Sequence, residues 1–234
     1  MANKQAKELS STTLDYAKGA LIYYQQGLDD VATKERTDVT TKMANVTGDS
    51  VDEVSSYMTS IWNNFNKAGD ESEEHFADIL TKLGAETAAS TTEITAALEK
   101  YTGVANTIGL SYESATAAAT TLIDRLREQP EVAGTALKTI FARLEGLKLE
   151  GETSEGGTTT SLNKYSEALH KIGVEIKDAS GEMREADDIL MDIGEKWNSG
   201  DLSKDVKIAT AETVAGIRQW QQFSALMDNF DYFK

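Results

Sequence analysis

Cysteine is absent from the 234-residue chain, and proline occurs once, as Pro130. The absence of thiols excludes a disulfide scaffold, thiol catalysis, iron–sulfur clusters and cysteine-ligated zinc. Positive charge is scarce: 23 Lys and Arg stand against 39 Asp and Glu, a net charge of −16. That balance opposes a grip on nucleic acid, which needs Lys and Arg to neutralise phosphate, and it disfavours an anionic membrane surface. No apolar run approaches the roughly 18 residues of a bilayer span. The opening Met1-Ala2-Asn3-Lys4-Gln5 is followed by no apolar signal core. Composition describes a soluble acidic chain and names no activity.

What the sequence does contain is helical periodicity. Val51, Val54, Met58, Ile61 and Phe65 step by 3 and 4, as do Tyr112, Ala115, Ala119, Leu122 and Leu126. Ile94, Leu98, Tyr101, Ala105 and Ile108 form a third stripe, and Ala133, Leu137, Ile140, Leu144 and Leu147 a fourth. Ser50 with Glu53, Asp70 with Glu73, and Ser90 with Glu93 have the spacing of a capping box, in which each side chain satisfies the other residue's backbone N–H. Ser111 and Ser203 are single caps, and Pro130 suits a first helical position, where its missing N–H costs nothing. Gly48-Asp49, Gly69-Asp70 and Gly200-Asp201 read as stops followed by a polar opener. Leu83-Gly84-Ala85, Ile108-Gly109-Leu110 and Ile172-Gly173-Val174 read as left-handed caps that turn the chain sharply.

These signals predict an all-α fold of antiparallel helical hairpins packed in a bundle or array. The expected helices are 4–26, 29–46, 50–67, 72–87, 91–108, 111–128, 130–148, 161–172, 186–198 and 203–229. The polar, glycine-rich stretch 150–160 is expected to be a flexible linker. It would divide a helical-hairpin region over 1–149 from a second helical region over 161–234. Val174-Glu175-Ile176 and Glu182-Met183-Arg184 flank the turn Asp178-Ala179-Ser180-Gly181, so one small β-hairpin near 174–184 is expected, leaning on helices.

Candidate chemistry is thin. His75, in Glu73-Glu74-His75, lies beside an apolar stripe of Phe76, Ile79, Leu80 and Leu83 and reads as a surface histidine. Glu167 and His170 have the Glu-x-x-His spacing of carboxylate-bridged di-iron bundles, but such sites need two of these motifs and two further glutamates. Asp178 to Gly181 places its glycine fourth, where a calcium loop needs it sixth. Gly151 to Gly157 lacks the Gly-Lys-Ser/Thr ending of a phosphate loop. Asp187-Asp188 reads as a cap and a first-turn charge near the positive end of a helix. Among Trp62, Trp197 and Trp220, Trp62 beside Asn63, Asn64 and Phe65 is the candidate partner-facing anchor. The expectation is therefore no catalytic, cofactor-binding or metal-binding residue, no cofactor, and no enzyme.

One resemblance emerges. Gly134-Thr-Ala-Leu-Lys-Thr-Ile-Phe-Ala-Arg-Leu144 resembles the most recognisable segment of phage tail tape measure proteins. Asn106-Thr-Ile-Gly-Leu-Ser-Tyr112 and Lys164-Tyr-Ser-Glu-Ala-Leu-His-Lys-Ile-Gly-Val174 are similar to neighbouring segments of that family. So are Lys177-Asp-Ala-Ser-Gly-Glu182, Asp187-Asp-Ile-Leu190, Val214-Ala-Gly-Ile-Arg-Gln219, Ala225-Leu-Met-Asp-Asn229 and Ala20-Leu-Ile-Tyr-Tyr-Gln-Gln-Gly27. The resemblance implies a structural protein of the virion, in the tail lumen and made in the bacterial host cytoplasm. It would template tube length during tail assembly and leave ahead of the DNA. The implied partners are tail tube and tail tip proteins, tail assembly chaperones and further copies of the chain, with no nucleic acid and no membrane segment in this piece. Because family members are usually longer, the chain is expected to be an excised helical domain. The competing expectation is a secreted helical-hairpin protein or toxin-targeting module that docks onto a partner. A carboxylate-metal enzyme is the third.

Overall fold

A computed structural model describes residues 2–65, 72–149 and 159–232. The described residues form thirteen α-helices: α1 Ala2–Glu8, α2 Thr13–Gln25, α3 Asp30–Thr47, α4 Val51–Phe65, α5 Glu73–Glu86, α6 Thr91–Leu98 and α7 Thr102–Thr107. They continue with α8 Tyr112–Leu126, α9 Pro130–Leu149, α10 Thr159–His170, α11 Ala186–Asn198, α12 Lys204–Ala215 and α13 Trp220–Asp228, before a 3₁₀ turn at Phe230–Tyr232. Among the described residues there is no sheet, so the all-α expectation holds.

The caps sit where the sequence puts them. Ser50 and Glu53 exchange bonds, with Glu53 N–H donating to Ser50 Oγ at 3.4 Å and Ser50 N–H to Glu53 Oε2 at 3.2 Å. Ser90 and Glu93 form the same box at the start of α6, and Ser111 and Ser203 cap α8 and α12. Pro130 opens α9. Gly48, Gly109, Gly173 and Gly200 all take positive φ. Behind Gly109, Leu110 N–H donates to Ala105 O at 2.9 Å, and behind Gly173, Val174 N–H donates to Leu169 O at 3.0 Å, so both ends close as double-bonded left-handed caps.

Four expectations need correction. The helix expected over 4–26 breaks at Ser10, whose φ is 57°; Thr12 then caps α2 by accepting from Asp15 N–H. The run Ser10-Ser11-Thr12-Thr13 explains the break, since short hydroxyl side chains compete for backbone bonds. The helix expected over 91–108 divides at Glu99–Tyr101, where buried Tyr101 leaves helical geometry and donates its hydroxyl to Ala115 O at 2.6 Å. The helix expected over 203–229 divides at Gly216, φ 84°. The β-hairpin reduces to one antiparallel bridge, Lys177 with Met183. There Asp178 N–H donates to Glu182 O at 2.9 Å and Arg184 N–H to Ile176 O at 3.1 Å, while Asp178 Oδ1 accepts from the N–H groups of Ser180 and Glu182 and holds the turn.

Gly84 also differs from expectation. It lies inside α5, and a Cβ on it would stand 2.4 Å from Thr91 Oγ1, so this glycine lets α5 and α6 approach closely. The Asp70 cap, the Gly69-Asp70 stop and residues 150–158 of the expected linker lie outside the described residues; Thr159 and Thr160 open α10.

A continuous core runs from Tyr23 to Phe230, and residues on both sides of 150–158 contribute to it. In its first part Trp62 packs on Tyr23, and in its last part Trp197 packs edge-on to Phe223. Much of the remainder is small or hydroxylated. The described buried polar residues are eleven threonines and Ser55. Most of these threonines bond within their own helix: Thr37 to Thr33 O and Thr41 to Thr37 O at 2.6 Å, Thr116 to Tyr112 O at 2.7 Å, and Thr120 to Thr116 O at 2.8 Å. Such bonds satisfy the hydroxyl without tying one helix to the next.

Candidate functional site

Three of the residues that the sequence offers for chemistry, His75, His170 and Asp178, have structural partners. His75 Nε2 stands 2.7 Å from Glu113 Oε1, joining the starts of α5 and α8 at the surface. His170 places Nδ1 2.5 Å from Glu175 Oε1, across the cap that ends α10. Asp178 holds its own turn, and the Ser180 hydroxyl at 2.6 Å is the main reason its carboxyl lies below the usual carboxylate range. Among the described residues no group of three or more His, Cys, Asp or Glu stands close enough to hold a metal ion. Tyr16, Tyr23, Tyr57, Tyr101 and Tyr112 all have hydroxyl pKa values raised above the ordinary phenol value, chiefly by burial. None of these five is tuned toward proton transfer near neutrality. No helix among the described residues is long and apolar enough to cross a membrane.

Trp62 is not a partner-facing anchor. It is buried, with Tyr23 on one side and the Arg36 guanidinium 4.9 Å from its ring centroid. Arg36 in turn reaches Glu73 at 3.4 Å, so one cation bridges α3, α4 and α5. Sequence reasoning missed this junction because Lys34-Glu35-Arg36 looks like an ordinary charged face. Trp197 is buried and donates Nε1–H to Asp228 at 2.6 Å. Asp187 is in the first turn of α11 as expected, but it does not cap that helix. Its Oδ2 accepts from Ser111 N–H at 3.0 Å, tying α11 to the start of α8 across 76 residues of sequence.

Several of the segments singled out by sequence resemblance meet in space. Arg143, from the segment 134–144, donates to the Tyr165 hydroxyl at 3.3 Å and to Thr213 O at 3.4 Å. Gly216 lies against the Arg143 guanidinium so closely that a Cβ there would stand 2.6 Å from Nη2. Gly134 lies equally close to Ala97 O of α6, at 2.5 Å from the same construction. Asn198 Nδ2 donates to Met227 O at 2.8 Å, joining α11 to the last helix. Around Arg143, the helices α9, α10 and α12 and the turn 216–219 enclose an open cavity of about 1010 Å³. Glu212 and Arg218 line it, and Ile217 at its rim is 81% exposed. The arrangement is a set of joints between helices, held by Arg143, Asp187 and Asn198.

The profile of one family, described as phage-related minor tail protein, matches residues 3–216. No solved structure matches the chain.

Proposed function

The chain belongs to the phage-related minor tail protein family, and from that premise we propose that it is a tape measure segment: a non-enzymatic component of a long-tailed phage tail, housed in the tail lumen. In this reading it contributes to tail assembly and length determination and leaves the tube at genome delivery. Its contacts are tail tube and tail tip proteins and the assembly chaperones. The observation that carries the reading is the ordered series of segments from 106–112 to 225–229, which resemble tape measure proteins and converge on the joints around Arg143, Asp187 and Asn198.

The physical properties support the same role. A folded chain of this length has a radius of gyration of about 17–18 Å, whereas one helix is about 10–12 Å across. Passage along a narrow tube therefore requires the hairpins to string out. No disulfide opposes that. The buried threonines bond mainly within their own helices, and many stripe positions are alanine, which buries little area. An acidic chain sharing a conduit with DNA is repelled by it rather than bound.

The test is made on virions. An epitope tag on the gene encoding this chain allows its detection in purified tails before and after DNA ejection is triggered. The tag is expected in intact tails and is expected to be depleted from emptied tubes. Absence from intact tails, or equal retention after ejection, overturns the reading.

A further inference from the structure

A groove of about 330 Å³ runs between α4 and α6. Asp49, Glu53 and Tyr57 line it from one side, and Thr92, Ala96 and Glu99 from the other. Each set steps by three or four residues and so follows one helical face. The Thr92 hydroxyl donates to the Asp49 carboxylate, at 3.0 and 3.1 Å from its two oxygens, and ties the starts of the two helices together. Asp49 and Glu53 therefore mark one end of the groove. Glu99, just past the last residue of α6, marks the other, roughly 10 Å along the helix from Thr92. Among the described residues no lysine, arginine or histidine pairs with any of these three carboxylates. Nor do they gather closely enough to hold a metal ion.

One buried group in the groove is left unmet. Tyr57 is only 7% exposed, and its hydroxyl has no hydrogen-bond partner among the described residues. Its pKa lies above the ordinary phenol value, through burial first and then through Asp49, Tyr23 and Glu53. The two carboxylates that act on it are those at one end of the groove, which places the hydroxyl at that end.

We infer that the groove binds a linear aliphatic diamine, with one ammonium among Asp49, Glu53 and the Tyr57 hydroxyl, the methylene chain along Ala96, and the second ammonium at Glu99. The separation of the acids selects this ligand. A metal ion needs its carboxylates convergent, and a single ammonium leaves one end of the groove without a counter-charge. Two cations joined by an apolar spacer meet both ends. An ammonium N–H also supplies the donor that the Tyr57 oxygen lacks, and Glu99 stands at the carbonyl end of α6, where the helix dipole favours a cation. The volume lies near the lower bound for ligand pockets, enough for a short chain and too little for a folded segment. Glu53 and Glu99 are exposed, so water and salt screen the site, and the dissociation constant is about 1 mM at low ionic strength. The inference is independent of the tape measure reading.

Amide chemical shifts of the full chain, titrated with putrescine at low salt, test it. Shifts are expected within 49–57 and 92–99 and are expected to saturate. Butylamine, which has the same carbon chain and one ammonium, is expected to bind about three- to ten-fold more weakly. Glu99→Gln is expected to bring the two amines to equal affinity, and Asp205→Asn on α12 to change neither. Tyr57→Phe gives a readout that a packing role would not. Without amine it is expected to melt at or above the temperature of the parent chain, because the hydroxyl removed bonds to nothing. Putrescine is then expected to raise its melting temperature less than that of the parent. Shifts scattered over the acidic surface, butylamine binding the parent chain as tightly as putrescine, or a Tyr57→Phe chain that melts lower without amine overturns the inference.

Discussion

Gly194 and Gly103 lie inside helices and respond to the same substitution in opposite ways. A Cβ on Gly194 would stand 2.2 Å from the Phe230 ring, so Gly194→Ala is expected to cost about 1–3 kcal/mol through overpacking. A Cβ on Gly103 would meet nothing within 4 Å. Gly103→Ala is expected to stabilise by about 0.4–1 kcal/mol, mainly by restricting the unfolded chain. Urea unfolding of the two variants measures both. Glu93 gives a pH signature. The Ser90 backbone N–H, then the Ser90 hydroxyl, hold its carboxyl below the usual glutamate range. A group with a depressed folded pKa stabilises above its unfolded value and loses that contribution as pH falls through the folded one. Glu93→Gln is therefore expected to destabilise at neutral pH, with its difference from the parent chain vanishing in acid; unfolding midpoints from pH 7 downward measure this. The Ser90–Glu93 box was legible because capping is local. The Arg36–Trp62 junction was not, because nothing in Lys34-Glu35-Arg36 says which of its charges will lie over a ring.

Helices were more legible than their breaks. Apolar stripes, serine caps and left-handed glycines located most ends, since each acts within one turn of chain. The breaks at Tyr101 and Gly216 depend on distant partners, Ala115 O for the first and Arg143 for the second. Gly84 shows the same limit. Glycine at a stop and glycine at a close crossing look identical in sequence, and only the position of Thr91 distinguishes them. Ser10 is the one break fixed locally that periodicity concealed. Its φ of 57° costs a non-glycine residue about 1–2 kcal/mol. Ser10→Gly is expected to recover about 1 kcal/mol at the joint between α1 and α2 without lengthening either helix, as helical circular dichroism and thermal unfolding together would register. The candidate site was the least legible part. That the resembling segments lie together follows from packing among α9, α10, α12 and α13, and the Asp187–Ser111 bond spans 76 residues that no periodicity connects.

For the molecule as a whole, the proposed function depends on how the fold yields. The chain has no cross-link, and its eleven described buried threonines spend hydroxyl bonds mostly within their own helices. Two of its aromatic pairs lie far apart in sequence, Tyr23 with Trp62 in the first part and Trp197 with Phe223 in the last, while Phe65, Phe76 and Tyr112 cluster where α4, α5 and α8 meet. A tail component that strings out along a tube needs units that open separately, each below the global unfolding free energy. Native-state hydrogen exchange of the full chain, followed by mass spectrometry through rising denaturant, tests this most directly. Separate openings predict that amides of α2 to α4 and of α11 to α13 exchange as distinct classes with different free energies and denaturant slopes. A single class, in which every core amide opens with one shared free energy and slope, would contradict a chain built to yield piece by piece.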